Sequence, residues 1–191
     1  MKKSFFIVMA IMGMAQFTQA QEQHKFRAGL DLGYAVPDGG GGILGAIEFK
    51  YNIMDNMNIG ILFESAVLAK NITTDAASLE LETELGSNAS YAATFDYYFN
   101  NGGSSFAPFI GGGMGYNALA NLELDFLGET TEAEVDGKFG GLVRAGFELG
   151  KLRLAATYHL IGKSEIGESE VSNSYFGLSL GFYLGGGKWK K

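Results

Sequence analysis

Apolar residues alternate with polar or small ones along eight separate stretches of the chain. Two of them show the rule well. Ile43, Gly45, Ile47, Phe49 and Tyr51 alternate with Leu44, Ala46, Glu48, Lys50 and Asn52. Ala89, Tyr91, Ala93, Phe95, Tyr97 and Phe99 alternate with Asn88, Ser90, Ala92, Thr94, Asp96 and Tyr98. A two-residue period places each set on one face of a β-strand. The apolar faces are broad and rich in aromatics, while the opposite faces hold glycines and charges of both signs. A soluble barrel needs its apolar side chains inside its narrow interior. A barrel standing in lipid needs the reverse, an apolar exterior around a polar lumen.

The pattern predicts strands at about 26–36, 43–53, 57–69, 87–99, 106–117, 138–149, 152–161 and 174–184. Each is long enough for the roughly 9–11 residues with which a tilted strand crosses a bilayer. Eight strands is an even number, and closure removes the sheet edges that hydrocarbon cannot solvate. Short turns fall around Met54 to Asn56, Asn100 to Ser104 and Gly150 to Lys151. A compact Pro37 to Gly40 loop and longer connections at about 70–86, 118–137 and 162–173 lie at the other end. Turns at one end and loops at the other is the outer-membrane arrangement, with the turns in the periplasm. Alternation continues through Leu79 to Leu85 and Leu122 to Phe126, so strands three to six are expected to extend beyond the membrane as a protruding sheet. The expected fold class is all-β, an eight-stranded antiparallel transmembrane β-barrel.

Chain ends and composition narrow this further. Lys2 and Lys3 precede an apolar run from Ser4 to Ala15, and Thr18-Gln19-Ala20 offers small residues for cleavage. Residues 1–20 therefore read as a secretory signal peptide cut after Ala20, and 21–191 as one outer-membrane β-barrel domain. The chain has no cysteine, which excludes disulfides and lipid attachment through a thiol. No later stretch approaches the ~20 apolar residues of a spanning helix. A net charge of −7 argues against nucleic acid as a partner.

The inward positions carry Arg27, Asp31, Glu48, Lys50, Glu64, Lys70, Asp96, Arg144, Glu148, Arg153 and His159. Leaving His159 aside, five acids face five bases. An eight-stranded barrel has room for side chains but hardly for a pore, and an unpaired charge inside it is costly. The expectation is a structural ion-pair network that plugs the lumen. A narrow channel for small solutes is the alternative, and a soluble, lipocalin-like ligand-binding barrel in the periplasm the second. No catalytic, cofactor-binding or metal site is expected, and the chain does not read as an enzyme. His159-Leu160-Ile161 lacks the His-x-Ser pair of lipid A deacylase-type barrels, and no second histidine stands near enough in sequence to share a metal. The glycine-rich stretches Gly39 to Gly42 and Gly111 to Gly115 lack the helix and the Lys-Ser/Thr of a phosphate-binding loop.

The long connections are acidic. Glu80, Glu82 and Glu84 lie in one, and Glu123, Asp125, Glu129, Glu132, Glu134 and Asp136 in the next. The simplest reading is a solvated, repulsive surface. Divalent cations bridging the acids to lipopolysaccharide phosphates, or adhesion through the protruding edge, are the functional readings.

Two stretches carry a family resemblance: Phe26-Arg27-Ala28-Gly29-Leu30-Asp31-Leu32-Gly33-Tyr34, and the closing run from Tyr175 to Lys188. With the leader, they resemble the small outer-membrane β-barrel proteins of OmpX, OmpW and opacity-protein type. They are most similar to the outer membrane beta-barrel domain proteins common in Bacteroidota. The closing run is similar to the terminal strand read by the barrel-assembly machinery, although it ends in a Gly-Lys tail rather than an aromatic residue. The resemblance implies a place in the cell outer membrane, amid outer-membrane lipids and lipopolysaccharide, with no cofactor. A monomer is expected. Relatives serve adhesion, envelope stability or porin-like passage of small solutes, so the resemblance specifies fold far more than activity.

Overall fold

The computed structural model describes residues 23–37, 40–74, 81–100, 104–123, 134–166 and 169–186. The expected signal peptide lies outside the described residues, as do Glu80, Asp125, Glu129 and Glu132.

Ten strands follow one another among the described residues: β1 (Phe26–Pro37), β2 (Gly41–Met54), β3 (Met57–Thr74), β4 (Leu81–Tyr98), β5 (Phe106–Glu123), β6 (Glu134–Leu149), β7 (Leu152–Ile161), β8 (Ser164–Ile166), β9 (Ser169–Val171) and β10 (Tyr175–Gly185). Eight of them close a barrel, running from β1 to β7 in chain order and then through β10 back to β1. Every neighbouring pair is antiparallel, and the seam runs from Arg27 opposite Gly185 to Pro37 opposite Tyr175. The barrel therefore has no open edge. The fold is the expected one.

One difference from the sequence expectation matters. The segment 162–173, expected as a loop, contains a small hairpin formed by β8 and β9. The extension expected of strands three to six is present: β3 runs to Thr74, β4 starts at Leu81, β5 runs to Glu123 and β6 starts at Glu134. The cause is the alternation that continues into those stretches, which gives each added residue a cross-strand partner. The strands β3, β4 and β5 have 18 residues and β6 has 16, against 12 in β1, 10 in β7 and 11 in β10. At ~3.3 Å per residue, the excess of β3 over β1 is roughly 20 Å of strand. One side of the barrel thus rises far above the other.

The opposite end is trimmed close. Met54 pairs with Met57, and Leu149 with Leu152, so two-residue turns join β2 to β3 and β6 to β7. Gly150 in the second turn has φ 64°, which a residue without Cβ adopts freely. Between β4 and β5, the Asn100 side-chain amide donates to the carbonyls of Ser104 and Phe106, each at 2.9 Å.

The faces are inside-out for a water-soluble protein. Leu30, Ile47, Ile61, Phe63, Val143, Leu154 and Leu180 all point outward, and Phe26 and Phe139 are each 71% exposed. Glu48, Asp96 and Glu148 are fully buried inside. A soluble ligand-holding barrel would exchange these two sets. Aromatic contacts collect near the turn end, where Phe26 meets Tyr51 at 4.8 Å, Tyr97 meets Phe99 at 5.0 Å and Phe106 meets Phe147 at 5.2 Å between ring centres. That is where one interface girdle of a lipid-embedded barrel belongs.

An exterior of this kind makes a direct prediction. Arginine in place of Ile47, halfway along β2 and facing outward, should destabilise the barrel in lipid vesicles by roughly 2–4 kcal/mol. Equilibrium unfolding in denaturant would measure it, and a cost near zero would mean that hydrocarbon does not cover this face.

Candidate functional site in the lumen

Inward side chains follow from strand parity, and they fall into three zones along the barrel. At the centre, Glu48 and Asp96 gather the cations. Glu48 accepts hydrogen bonds from the Thr94 hydroxyl at 2.7 Å, Tyr183 OH at 2.9 Å, Arg144 Nη2 at 2.7 Å and Arg153 Nη1 at 3.0 Å. Asp96 accepts from Lys50 Nζ at 2.5 Å and from Arg144 Nε and Nη2 at 2.7 and 2.9 Å. Lys50 Nζ also stands 3.3 Å from Glu48. Arg144 is the fork that joins the two acids, and none of these five charged side chains is more than 3% exposed.

Register explains why Arg144 reaches Asp96. Asp96 pairs with Gly111, and Gly111 with Arg144, so acid, glycine and base occupy one row across β4, β5 and β6. A Cβ on Gly111 would overlap the Asp96 carboxylate. The glycine leaves the space through which the two side chains meet.

Toward the turn end, Arg27 Nη2 lies 2.5 Å from Glu148 Oε2, and Tyr98 OH donates to Glu148 Oε1 at 2.7 Å. Aromatic rings complete this zone. The Arg27 guanidinium sits 4.6 Å from the Tyr183 ring centre, and that of Arg153 sits 4.3 Å from the Phe109 ring. Each contact supplies attraction to a desolvated cation without adding a further charge. Arg153 Nη1 also donates to the Tyr183 hydroxyl.

Toward the loop end the chemistry is milder. Tyr175 OH donates to Glu64 Oε1 at 2.6 Å, and Asn88 Nδ2 donates to Tyr175 OH and to Asn117 Oδ1, both at 3.3 Å. The His159 ring stacks on Tyr175 with centres 4.3 Å apart, and its Nε2 lies 3.2 Å from Glu64 Oε1. Ala35, Leu44, Ala66, Leu68, Leu119 and Ile161 form an apolar cluster with Tyr175.

The structure brings together ten of the eleven inward residues named from sequence: Arg27, Asp31, Glu48, Lys50, Glu64, Asp96, Arg144, Glu148, Arg153 and His159 are all buried in the lumen. Lys70 pairs with Glu84 through the backbone, and its side chain lies outside the described residues. Asp31 departs from the expected network: it is inside and 5% exposed, yet makes no direct hydrogen bond or ion pair with a described residue. Glu82, Glu84, Glu123 and Glu134, expected in loops, occupy strand positions, and their side chains lie outside the description. Asp136 pairs with Lys138 at 3.0 Å. Among the described residues no group of three or more histidines, cysteines or acids could hold a metal ion. Sequence reasoning passed over Tyr175, Tyr183, Phe109, Asn88, Asn117 and Thr94 as site residues. Strand parity was the signal that places all six inside.

Arg144 offers the sharpest energetic test. Arg144→Met would leave Glu48 and Asp96 short of their common partner and should destabilise the barrel by about 3–5 kcal/mol. Adding Asp96→Asn should recover part of the loss, because the two sites share one interaction. Denaturant unfolding of the two single variants and the double variant in vesicles measures both effects.

No protein-family model matches the chain, and neither does any curated protein sequence. Solved structures do share its architecture. It is similar to Neisserial surface protein A, with a TM-score of 0.55 and 17% identity, over 83% of this chain and 96% of that one. It is similar to the N-terminal β-barrel domain of Pseudomonas aeruginosa OprF, with a TM-score of 0.50 and 14% identity, over 86% of this chain and 100% of that one. The outer membrane protein OprG from the same organism gives a TM-score of 0.50 and 12% identity, over 86% and 98%. The chain has the fold of the small eight-stranded outer-membrane β-barrels.

Proposed function

We propose that this protein is an integral barrel of the cell outer membrane with a structural and surface-interaction role, its lumen plugged and its long sheet facing outward. The observation that carries this reading is the inequality of the strands. Crossing a bilayer takes roughly 9–11 residues per tilted strand, a length that the 10-residue β7 and 11-residue β10 match and the 12-residue β1 barely exceeds, whereas β3, β4 and β5 have 18 residues and β6 has 16. Extra length shared by four adjacent strands serves something outside the lipid. Neisserial surface protein A, similar in fold, is by name a surface protein.

In this reading the protruding sheet works through its charge. Glu82 and Glu84 on β4, Glu123 on β5, and Glu134 and Asp136 on β6 lie in its raised part, and register sets Glu84 opposite Glu123. The connecting segments add Glu80, Asp125, Glu129 and Glu132. Like charges on facing strands repel, and a divalent cation relieves that repulsion. Such cations would bridge the sheet to lipopolysaccharide phosphates. The protein is a monomer placed by the barrel-assembly machinery, with the short turns in the periplasm. What supports the plug is the centre of the lumen, where the charged side chains of Glu48, Lys50, Asp96, Arg144 and Arg153 are all but inaccessible to solvent.

Three measurements test this reading. In planar bilayers the protein should show no discrete openings; openings that Arg144→Ala abolishes or enlarges would make it a channel for small solutes instead. Isolated outer membranes should contain a heat-modifiable band of this chain, whereas a folded monomer purified without detergent would remove it from the membrane. Chelation of divalent cations should raise protease access to the outward sheet, and unchanged access would separate the sheet from cation bridging.

A further inference from the structure

The acid–glycine–base row of Asp96, Gly111 and Arg144 has a second copy. Asp31 pairs with Gly181, and Gly181 with Arg153, across β1, β10 and β7. Here too a Cβ on the glycine would overlap the acid's carboxylate. The outcome differs. Arg144 meets Asp96 directly at 2.7 Å, whereas Asp31 makes no hydrogen bond or ion pair with a described residue. Arg153 is 2% exposed; its Nε and Nη2 have no hydrogen-bond partner, and Nη2 stands 3.9 Å from Asp96 Oδ2. An acid without a direct partner and two buried donors without a hydrogen bond thus stand on either side of one glycine. Buried donors left without a partner are rare in proteins and destabilising unless something completes them.

Asp31 and Arg153 line the same small cavity, whose volume is about 20 Å³. That exceeds the roughly 10–15 Å³ that one water requires. Glu64, Thr157 and Ser179 contribute to its wall. We propose that this cavity is a binding site for a single water molecule, which accepts from the Arg153 guanidinium and donates to the Asp31 carboxylate. The chemistry of the wall selects the occupant. A bare cation gives Arg153 nothing to donate to and meets the guanidinium of Arg144 as well, while an anion faces the carboxylates of Asp31 and Glu64. Water alone both accepts and donates, and the hydroxyls of Thr157 and Ser179 supply the further partners that a buried water uses. The bound water links the centre of the lumen to Glu64 and the loop-end cluster.

The test is a crystal structure of the detergent-extracted protein grown in rubidium bromide, at a resolution that shows ordered water. A peak within hydrogen-bonding distance of Asp31 and Arg153, with no anomalous signal from rubidium or bromide, is the expected result. A rubidium signal, a bromide signal or an unoccupied cavity would each overturn the proposal. Ala155, which also lines the cavity, provides a second readout. Ala155→Val should expel the water and raise the unfolding equilibrium constant about tenfold, the cost of leaving buried polar groups unpaired. Filling a dry void would lower that constant instead, and such a decrease would count against the water. Should this variant not fold, the crystal structure of the unaltered protein decides alone.

Discussion

Everything in this barrel depends on neutralising charge inside a lumen too narrow to hydrate it. An ion moved from water into a protein interior loses several kcal/mol of solvation even after relaxation, and recovers it only with close partners and further hydrogen bonds. The lumen meets that condition by sharing. Glu48 receives four donors and Asp96 three contacts from two cations, so each carboxylate serves several bases at once. Sharing also ties together strands that are not neighbours. Glu48 on β2 is joined to β4, β6, β7 and β10, which is most of the way around the wall.

Aromatic residues make the sharing possible without more charge. Tyr183 donates its hydroxyl to Glu48 while its ring lies 4.6 Å from the Arg27 guanidinium and 5.0 Å from Lys50 Nζ. One side chain therefore contacts an acid at its tip and two bases through its face. Space for it comes from Gly29, where a Cβ would overlap the ring. Glycine in this lumen serves close approach: each absent Cβ admits a group that the network requires.

The barrel was legible in the sequence because its rule is local. Whether Glu48 or Phe49 points inward depends on a period of two, and a period can be read within ten residues. Partners could not be read in the same way. Arg27 and Glu148 are 121 residues apart, and Glu48 and Arg153 are 105 apart. Their meeting depends on how the strands are staggered around the closed barrel, which no single stretch encodes. The strand ends show a related limit. Gly86 falls in the connection expected at about 70–86, yet β4 runs through it, since small and polar residues are what a lumen face contains. The tyrosines were hidden differently. Tyr175 and Tyr183 lie on the inward parity of β10, but a bulky aromatic reads as lipid-facing until its hydroxyl has a buried acceptor to meet.

The lumen network and the long strands are physically one device. Each of the four long strands is held from within: β3 by Glu64, β4 by Asp96, Thr94 and Asn88, β5 by Asn117, and β6 by Arg144 and Glu148. Backbone pairing alone would let a tall sheet flex about the membrane surface, because its upper part has neighbours on two sides only. Cross-links through the lumen resist that motion by fixing the base on which the sheet stands. Opening a path for solute would mean breaking the Arg144 fork, and the fork is also what couples β6 to β4 and β2. A conducting lumen and a firmly based platform make opposite demands on the same three side chains. Glu48, Asp96 and Arg144 meet in one buried cluster, and that arrangement is the one the proposed platform requires.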